Sequence, residues 1–438
     1  MKSVKFPPAV VKRAQDAARA VKRKGYQVVQ LVLDESLTML LDLPHFAVRG
    51  IAIETDVAQD ILHLHCELTV EAAVCPCCQG LSTEVKSSKD RCVRDLDGWN
   101  KRTFVHFAIR RFECPECGHR FYERLRAVSP QRRQTNRFEE AVYQRCLDSS
   151  KKGVAQALHL GYSTVDGIFK RLAKRHLSRQ RAGCFRVLGM DEIALKKRHK
   201  QFALVLSDLE RRHVLAVLPS REQSAIKCWF DTLSAAQKKA IRVVSMDMWR
   251  PYRSFVEQHL PHAHIVADRF HVMKQLNDQL TKARRQIQRT ADEQTKEALK
   301  GSRWLLVSNR DTLDPAQQEH LLQVLEADPE LRTAYLLKEE FRTIFEKIHD
   351  QQQARRFLNA WMLKVQATHN KYLLGFVNTL RNWFGQILAY FDERISNGFV
   401  EGMNRAIRFI ISRAFGFRNF DNFRLQVLAQ HGPPWLIP

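Results

Sequence analysis

The chain has 438 residues, of which 45% are hydrophobic, and carries 71 Lys plus Arg against 47 Asp plus Glu, a net charge of +24. This length suits about three domains, and this apolar content excludes a chain that is disordered by composition. A pI of about 9.8 points to a polyanionic partner; with no run of ~18 apolar residues to cross a bilayer, that partner is expected to be nucleic acid and not a membrane.

The first residues are basic but lack the apolar stretch and cleavage site of a secretory signal, so a cytoplasmic protein with reduced cysteines is expected. Residues 1–59 read as a basic N-terminal extension and lead-in, with helical character over residues 10–21 whose simplest reading is a solvated basic helix. Residues 60–130 read as a zinc ribbon. Residues 60–70 alternate like a strand and lead into Cys75-Pro-Cys-Cys78. A second knuckle is Cys114-Pro-Glu-Cys117-Gly118-His119, and residues 102–110 and 111–113 between them read as strands. Two C-x-x-C knuckles offer four thiolates to a tetrahedral zinc, and four protein ligands make that zinc structural. Cys75, Cys78, Cys114 and Cys117 are the expected ligands, although Cys77 could replace a neighbour and Cys92 lies between the knuckles. Cys66, Cys146, Cys184 and Cys228 stand singly and read as small buried thiols.

Residues 131–182 read as a helix-turn-helix. A short helix holds Ala155 and Leu158, Gly161 makes the turn, and Ser163 is an N-cap for a second helix with Val165, Ile168 and Leu172 inward. Thr164, Asp166, Lys170 and Lys174 would then lie outward, near DNA. The plainer alternative is a helical pair in a bundle.

From residue 183 to 290 the pattern becomes alternating strand and helix. Strands are predicted at 185–194, 201–208, 213–218, 241–247 and 264–268, with helices at 222–233, 252–259 and 270–289. Three antiparallel strands continued by two strands with crossover helices is a ribonuclease-H-like order, an α/β catalytic domain. Residues 291–394 show only helical spacing and read as an all-helical insertion, too long for a loop. Residues 395–438 return to the catalytic domain as C-terminal helices.

A carboxylate inside or ending an apolar strand is costly unless it is paired or metal-bound. Asp191 lies in the first of these strands and Asp247 ends the fourth, and in this order the two strands are neighbours. Glu401 lies beside the apolar face of a later helix. Three such carboxylates around two magnesium (or manganese) ions, ~4 Å apart, make the two-metal device for phosphodiester chemistry. Asp268 also ends a strand and competes as an auxiliary ligand. Lys274, Arg405, Arg408 and Arg413 are expected near the same edge, holding phosphates.

One ordered set of blocks runs from about residue 60 to the C-terminus. It comprises Arg111-Phe with Cys114-Pro-Glu-Cys117; Gly189-Met-Asp191-Glu192; Ser245-Met-Asp247-Met-Trp249-Arg-Pro-Tyr252; Ala267-Asp268-Arg-Phe270-His271-Val-Met-Lys274; and Asn397-Gly-Phe-Val-Glu401-Gly402-Met-Asn404, continued by Arg413-Ala-Phe-Gly416-Phe417-Arg-Asn419. The set resembles the bacterial DDE transposases of the ISL-three family of insertion sequences. The resemblance implies a zinc ribbon, a helix-turn-helix and a ribonuclease-H-like domain with a helical insertion. It implies an Asp, Asp, Glu triad at Asp191, Asp247 and Glu401, with Asp268, Trp249 and Asn404 auxiliary. It also implies action on terminal inverted repeats and target DNA, by a homo-oligomer of at least two chains at the bacterial nucleoid. Two features depart from the pattern: the extra cysteine and shifted glycine in Cys75-Pro-Cys-Cys78-Gln-Gly80, and a longer basic N-terminus. The rival classes are an inert DNA-binding regulator derived from a transposase, and an RNA-processing nuclease on the same fold.

Overall fold

The computed structural model describes residues 35–56, 59–179, 183–196, 201–393, 395 and 398–434. The basic extension, with its expected helix over 10–21, lies outside the described residues. The chain forms two compact units, Met1–Leu172 and Ala173–Pro438.

The first unit opens with helix α1 (Glu35–Leu41) and strands β1 (Phe46–Glu54), β2 (Ile61–Leu68), β3 (Ala73–Val74), β4 (Leu81–Ser82), β5 (Val85–Arg94), β6 (Arg102–Glu113) and β7 (Arg120–Tyr122). The main sheet has the order β1-β2-β6-β5, with β7 added to β6. Strands β2 and β6 run parallel, and the other neighbours antiparallel. Alternation along these strands sends Val48, Leu62, Leu64, Val93, Val105 and Phe107 to one face, where they form a core with Ala127 and Val128. The other face carries polar rings: His63, His65 and His106. Where the sequence suggests two short strands, β6 runs unbroken through Arg110 and Arg111. Glu123 neutralises Arg110, accepting from its Nε at 3.0 Å and its Nη2 at 2.7 Å, so the charge costs the strand little. Strand β5 escapes hydrophobic patterning because it is an exposed polar edge, with a run of six exposed residues at its start.

Helices α2 (Asn136–Asp148), α3 (Lys151–Ala157) and α4 (Tyr162–Arg179) follow. Thr135 and Ser150 cap the first two, accepting from the amides of Phe138 and Gly153. The expected cap of the third is corrected. The Gly161 carbonyl accepts from Thr164 and Val165 at 3.0 and 3.2 Å, so Gly161 begins α4 and Ser163 lies exposed in its first turn. Val165, Ile168, Phe169 and Leu172 are buried, as an inward face requires.

The second unit is built on a mixed sheet of β8 (Val187–Lys196), β9 (Gln201–Asp208), β10 (His213–Leu218), β11 (Val243–Met246) and β12 (His264–Ala267), in the order β10-β9-β8-β11-β12. The first three are antiparallel, and β11 runs parallel to both β8 and β12. Helices α5 (Gln223–Phe230), α6 (Ala235–Ala240), α7 (Arg250–His259) and α8 (Arg269–Thr290) make the connections. Strand β9 is buried on both faces: Leu204 and Leu206 join the large core, while Ala203 and Val205 meet the C-terminal helices.

Among the described residues, seven α-helices and a 3-10 turn (Arg310–Thr312) occupy the stretch expected to be all-helical: α9 (Glu293–Ala298), α10 (Arg303–Val307), α11 (Pro315–Glu326), α12 (Pro329–Lys347), α13 (Gln351–Ala367), α14 (Lys371–Asn382) and α15 (Phe384–Glu393). Tyr335, Phe341, Trp361 and Phe376 pack together, and their core is continuous with that of α8 and the sheet. Helix α15 returns to pack on β12. Helices α16 (Gly398–Arg413) and α17 (Phe420–His431) cover the opposite face, with Met403, Ile407, Ile410, Phe423 and Val427 against Ile193, Val205 and Val214. Among the described residues, no helix is long and apolar enough to cross a membrane.

The single cysteines do not all follow expectation. Cys146 is buried and Cys66 half-buried, but Cys184 and Cys228 are exposed. Ile226 and Phe230 form the buried side of α5, and Cys228 falls between them, on the outward side.

Candidate active site and zinc centre

Parallel pairing sets the level of the acidic residues. Met246 pairs with Met190 of β8 and with Ala267 of β12. One residue further along the three strands stand Asp191, Asp247 and Asp268, side by side. Alternation puts Leu188 and Met190 into the large core and turns Asp191, like Ile193, to the face beneath α16. There Asn404 Nδ2 donates to Asp191 Oδ2. The other Asp191 oxygen accepts from the Glu192 amide at 2.7 Å, and Asp247 Oδ1 accepts from the Met248 amide at 2.6 Å. Asp268 is buried and caps α8, accepting from the Phe270 amide at 2.7 Å.

His271 joins the three acids. Its Nε2 lies 3.4 Å from Asp191 Oδ1 and 3.6 Å from Asp268 Oδ2, and its Nδ1 lies 3.4 Å from Asp247 Oδ2. Burial lowers its pKa, but the hydrogen bond to Asp191 and the charges of Asp247, Asp268 and Asp191 outweigh burial and raise it overall. In the sequence His271 stands within the Ala267–Lys274 block, with no pattern of its own that marks a role. The available signal was the Asp268-x-x-His271 spacing at a helix start, which puts both side chains on one side of the first turn. Replacing His271 with Ala leaves three carboxylates facing one another. We expect a stability loss of about 1–3 kcal/mol in chelator, read by thermal melting, with part of it recovered in magnesium.

The other expected residues divide. Trp249 follows Asp247 by two positions and packs edge-on to Tyr252 at 4.5 Å, with Arg221 over its ring at 4.9 Å. Lys274 is exposed one turn beyond His271 on α8, and Arg405 and Arg408 are exposed on α16, flanking Asn404; Arg413 is half-buried at the helix end. Glu401 belongs to α16 one turn before Asn404, and its side chain lies outside the described residues. In the helix-turn-helix, Thr164 is half-buried and Lys174 exposed. Lys170 is held by Asp166 at 2.6 Å, and Asp166 also pairs with Lys151 at 2.7 Å. Hard oxygen donors at the acidic row suit magnesium or manganese.

The first unit gathers Cys75, Cys78, Cys114 and Cys117, with all four Sγ atoms within 4.8 Å of one another. The Cys75–Cys117 and Cys78–Cys114 sulfurs lie 3.7 and 3.4 Å apart, close to the about 3.8 Å that a tetrahedral Zn–S distance of ~2.3 Å demands. Burial works against ionising Cys114, but the amides of Cys117 and Glu116 and the adjoining thiols bring its pKa down to about 6. Cys77 is exposed outside the cluster and gives only its amide, to Cys75 Sγ at 3.4 Å. The first knuckle thus brings Cys75 and Cys78 into the group, with Cys77 and Cys92 outside it.

The knuckles match in backbone as well. Gln79 donates to the Cys75 carbonyl at 3.1 Å, as Gly118 does to that of Cys114 at 2.9 Å. Their φ angles are +65° and +66°. The shifted glycine therefore leaves Gln79 in a left-handed conformation that glycine adopts freely. Gln79→Gly should stabilise the ribbon by about 0.5–1 kcal/mol, raising its melting midpoint in zinc.

Family comparisons cover most of this architecture. A zinc-finger model of transposases IS204/IS1001/IS1096/IS1165 matches residues 71–117. A helix-turn-helix model of transposase family ISL3 matches residues 123–173, and a transposase model of the DDE type from ISL3 matches residues 188–427. The chain belongs to the ISL3 family of transposases. It is 30% identical over 371 residues to the transposase for insertion sequence element IS1001 of Bordetella parapertussis, covering 84% of this chain and 91% of that one. It is 27% identical over 370 residues to the transposase for IS1557 of Mycobacterium tuberculosis, covering 78% and 82%. The ribbon and the helix-turn-helix of this transposase precede its catalytic domain, in the order expected, and the four-cysteine cluster fits a structural zinc.

Proposed function

We propose that this transposase binds the terminal inverted repeats of its element and performs metal-dependent strand cleavage and strand transfer through Asp191, Asp247 and Glu401. The observation that carries this reading is the placement of Asp191 and Asp247 at one level on neighbouring parallel strands, facing one imidazole. Strand order and direction support a ribonuclease-H-like catalytic domain. Glu401 occupies the helix position one turn from Asn404, which already reaches Asp191, so it is the third carboxylate. Two magnesium or manganese ions, when bound, supply activation of the attacking oxygen and stabilisation of the leaving one.

The protein residues position and neutralise. Asn404 fixes the rotamer of Asp191, and Asp268 with His271 braces the acidic row from below. Lys274, Arg405, Arg408 and Arg413 hold the DNA backbone beside it, while Ser163, Thr164, Lys170 and Lys174 place the helix-turn-helix on the element end. Joining two ends to one target calls for a homo-oligomer of at least two chains. The decisive assay is joining of element-end DNA to a target, with Asp191→Asn, Asp247→Asn and Glu401→Gln tested singly. Loss in all three supports the reading. Undiminished joining in any one removes that residue from the mechanism, and binding without joining by the wild type favours an inert regulator.

A further inference from the structure

From Gly402 to Arg424 the sequence holds five arginines and one acid, Asp421, and Arg424 pairs with that acid at 3.1 Å. Helix α16 arranges the excess charge. Met403, Ile407 and Ile410 bury one face, and Arg405, Phe409 and Arg413 follow one another at four-residue spacing on another. Phe409 is 64% exposed, and the Arg413 guanidinium lies over its ring, 5.6 Å from the centroid. Cation, ring and cation thus alternate along an outward strip.

The end of the helix carries a second ring. The Phe415 amide donates to the Ser412 carbonyl at 3.0 Å and the Gly416 amide to that of Ile411 at 2.8 Å, the pair of bonds that closes a helix over a left-handed residue. Glycine is the usual occupant of that position. Here it is Phe415, at φ +53°, and Gly416 follows at +89°. The Phe415 side chain is 97% exposed. Backbone preference and the hydrophobic effect therefore both disfavour phenylalanine at 415 in the isolated chain. Phe417, two residues on, instead meets Phe423 at 5.4 Å and packs against the core. A bulky side chain held outward against both preferences calls for a ligand that meets it.

We propose that Phe409 and Phe415 stack on unpaired bases of a DNA strand whose phosphates lie along Arg405, Arg408, Arg413 and Arg418. Aromatic faces set among arginines suit a single strand: every unpaired base offers a face to stack on, whereas a closed duplex covers its base faces. The arginines make the strip complementary in charge to the strand. Position follows from the helix itself. Asn404, on the same helix, donates to Asp191; at ~1.5 Å per residue, Phe409 lies about 7.5 Å and Phe415 about 16 Å farther along. At ~3.4 Å per nucleotide these are about two and about five nucleotides from the acids. The place beside the cut rests on the reading of Asp191 and Asp247 as catalytic; the binding of single strands does not. On that reading the element end opens next to the cleaved bond, and the two rings hold it open.

Fluorescence anisotropy of a labelled oligothymidylate with the full-length chain, no magnesium added, tests this. Phe415→Gly should weaken single-strand binding about fivefold or more. Its melting midpoint should equal or exceed that of the wild type, because glycine accepts φ +53°, so the loss is not a loss of fold. Phe415→Trp should bind like the wild type and Phe415→Leu like Phe415→Gly, since stacking and not mere apolarity is at stake. Abasic positions in the strand should cost the wild type more affinity than they cost Phe415→Gly. The slope of log affinity against log salt should be kept in Phe415→Gly and fall by about 0.7 in Arg408→Gln. Equal affinity in wild type and Phe415→Gly, equal affinity in Phe415→Leu and Phe415→Trp, or an equal abasic penalty overturns the proposal. Altered sedimentation of Phe415→Gly with single-strand affinity kept assigns the ring to a contact between copies of this chain, and overturns it too. The readout involves no cutting or joining, so failure of the catalytic reading and failure of this one are told apart.

Discussion

Asparagine at Asp191 or Asp247 is expected to slow strand joining by about a thousandfold or more, while binding of element-end DNA stays within about twofold. A thousandfold corresponds to about 4 kcal/mol of lost transition-state stabilisation. Asn matches Asp in shape and keeps an oxygen for the backbone contacts, the 2.7 Å bond from Glu192 to Asp191 and the 2.6 Å bond from Met248 to Asp247. What is lost is the charge proposed to hold a divalent cation and one accepting oxygen, which at Asp191 is the one that takes the Asn404 bond. Asp268→Asn provides the contrast. Its carboxylate is buried, caps α8 and faces His271, so that variant should lose stability first and activity less. Joining rates beside melting curves separate the two patterns. Joining within tenfold of wild type in Asp191→Asn or Asp247→Asn would remove that acid from the reaction.

Loss of zinc from the ribbon should be as severe for binding as loss of the acids is for chemistry. The small core around the knuckles consists of Ala73, Cys75, Phe112, Cys114 and Phe121. Five side chains, two of them ligands, cannot offset the chain entropy of the two turns. Structural zinc contributes about 10–16 kcal/mol in small zinc domains, comparable to the whole stability of a folded domain. Cys114→Ser, or a strong chelator, should unfold the knuckles and weaken end binding at least about tenfold. The neighbouring β1-β2-β6-β5 sheet should persist on its own core. Limited proteolysis would show new cuts confined to residues 71–122, and a titration with labelled end DNA would show the weaker binding. Unchanged proteolysis and affinity after complete zinc removal would mean that the ribbon is held by packing.

Much of this was legible in the residues. Continuous apolar runs marked β9 and β10, whose observed bounds coincide with those expected, because polar turn residues end each run and nearly every side chain within it is buried. Asp191 and Asp247 stood out because a carboxylate within an apolar strand needs a reason. The four cysteines declared themselves by spacing. What stayed hidden was hidden for physical reasons. Strand β5 is a polar edge and has no apolar period. His271 acts through tertiary convergence with residues 80 and 24 positions earlier, and its helix looks ordinary alone. Ser163 is the better capping side chain in the sequence, yet the backbone carbonyl of Gly161, just before α4, takes the first helical bonds. Helix α15 reads as part of the insertion and yet packs on β12, a contact that no local pattern encodes.

The bond from Asn404 to Asp191 spans 213 positions of sequence. A ribosome adding ~5–20 residues per second needs about 10–40 s to travel between them. Through that interval the zinc ribbon, the helix-turn-helix and Asp191 are already made and Asp247 is added early, while α16, with Asn404 and Glu401, comes last. A nascent or prematurely ended chain therefore owns its DNA-binding modules before it owns the helix that reaches Asp191 and carries the proposed third carboxylate. Synthesis order makes recognition of an element end precede any capacity to cut it, and a truncated product would occupy ends without breaking them.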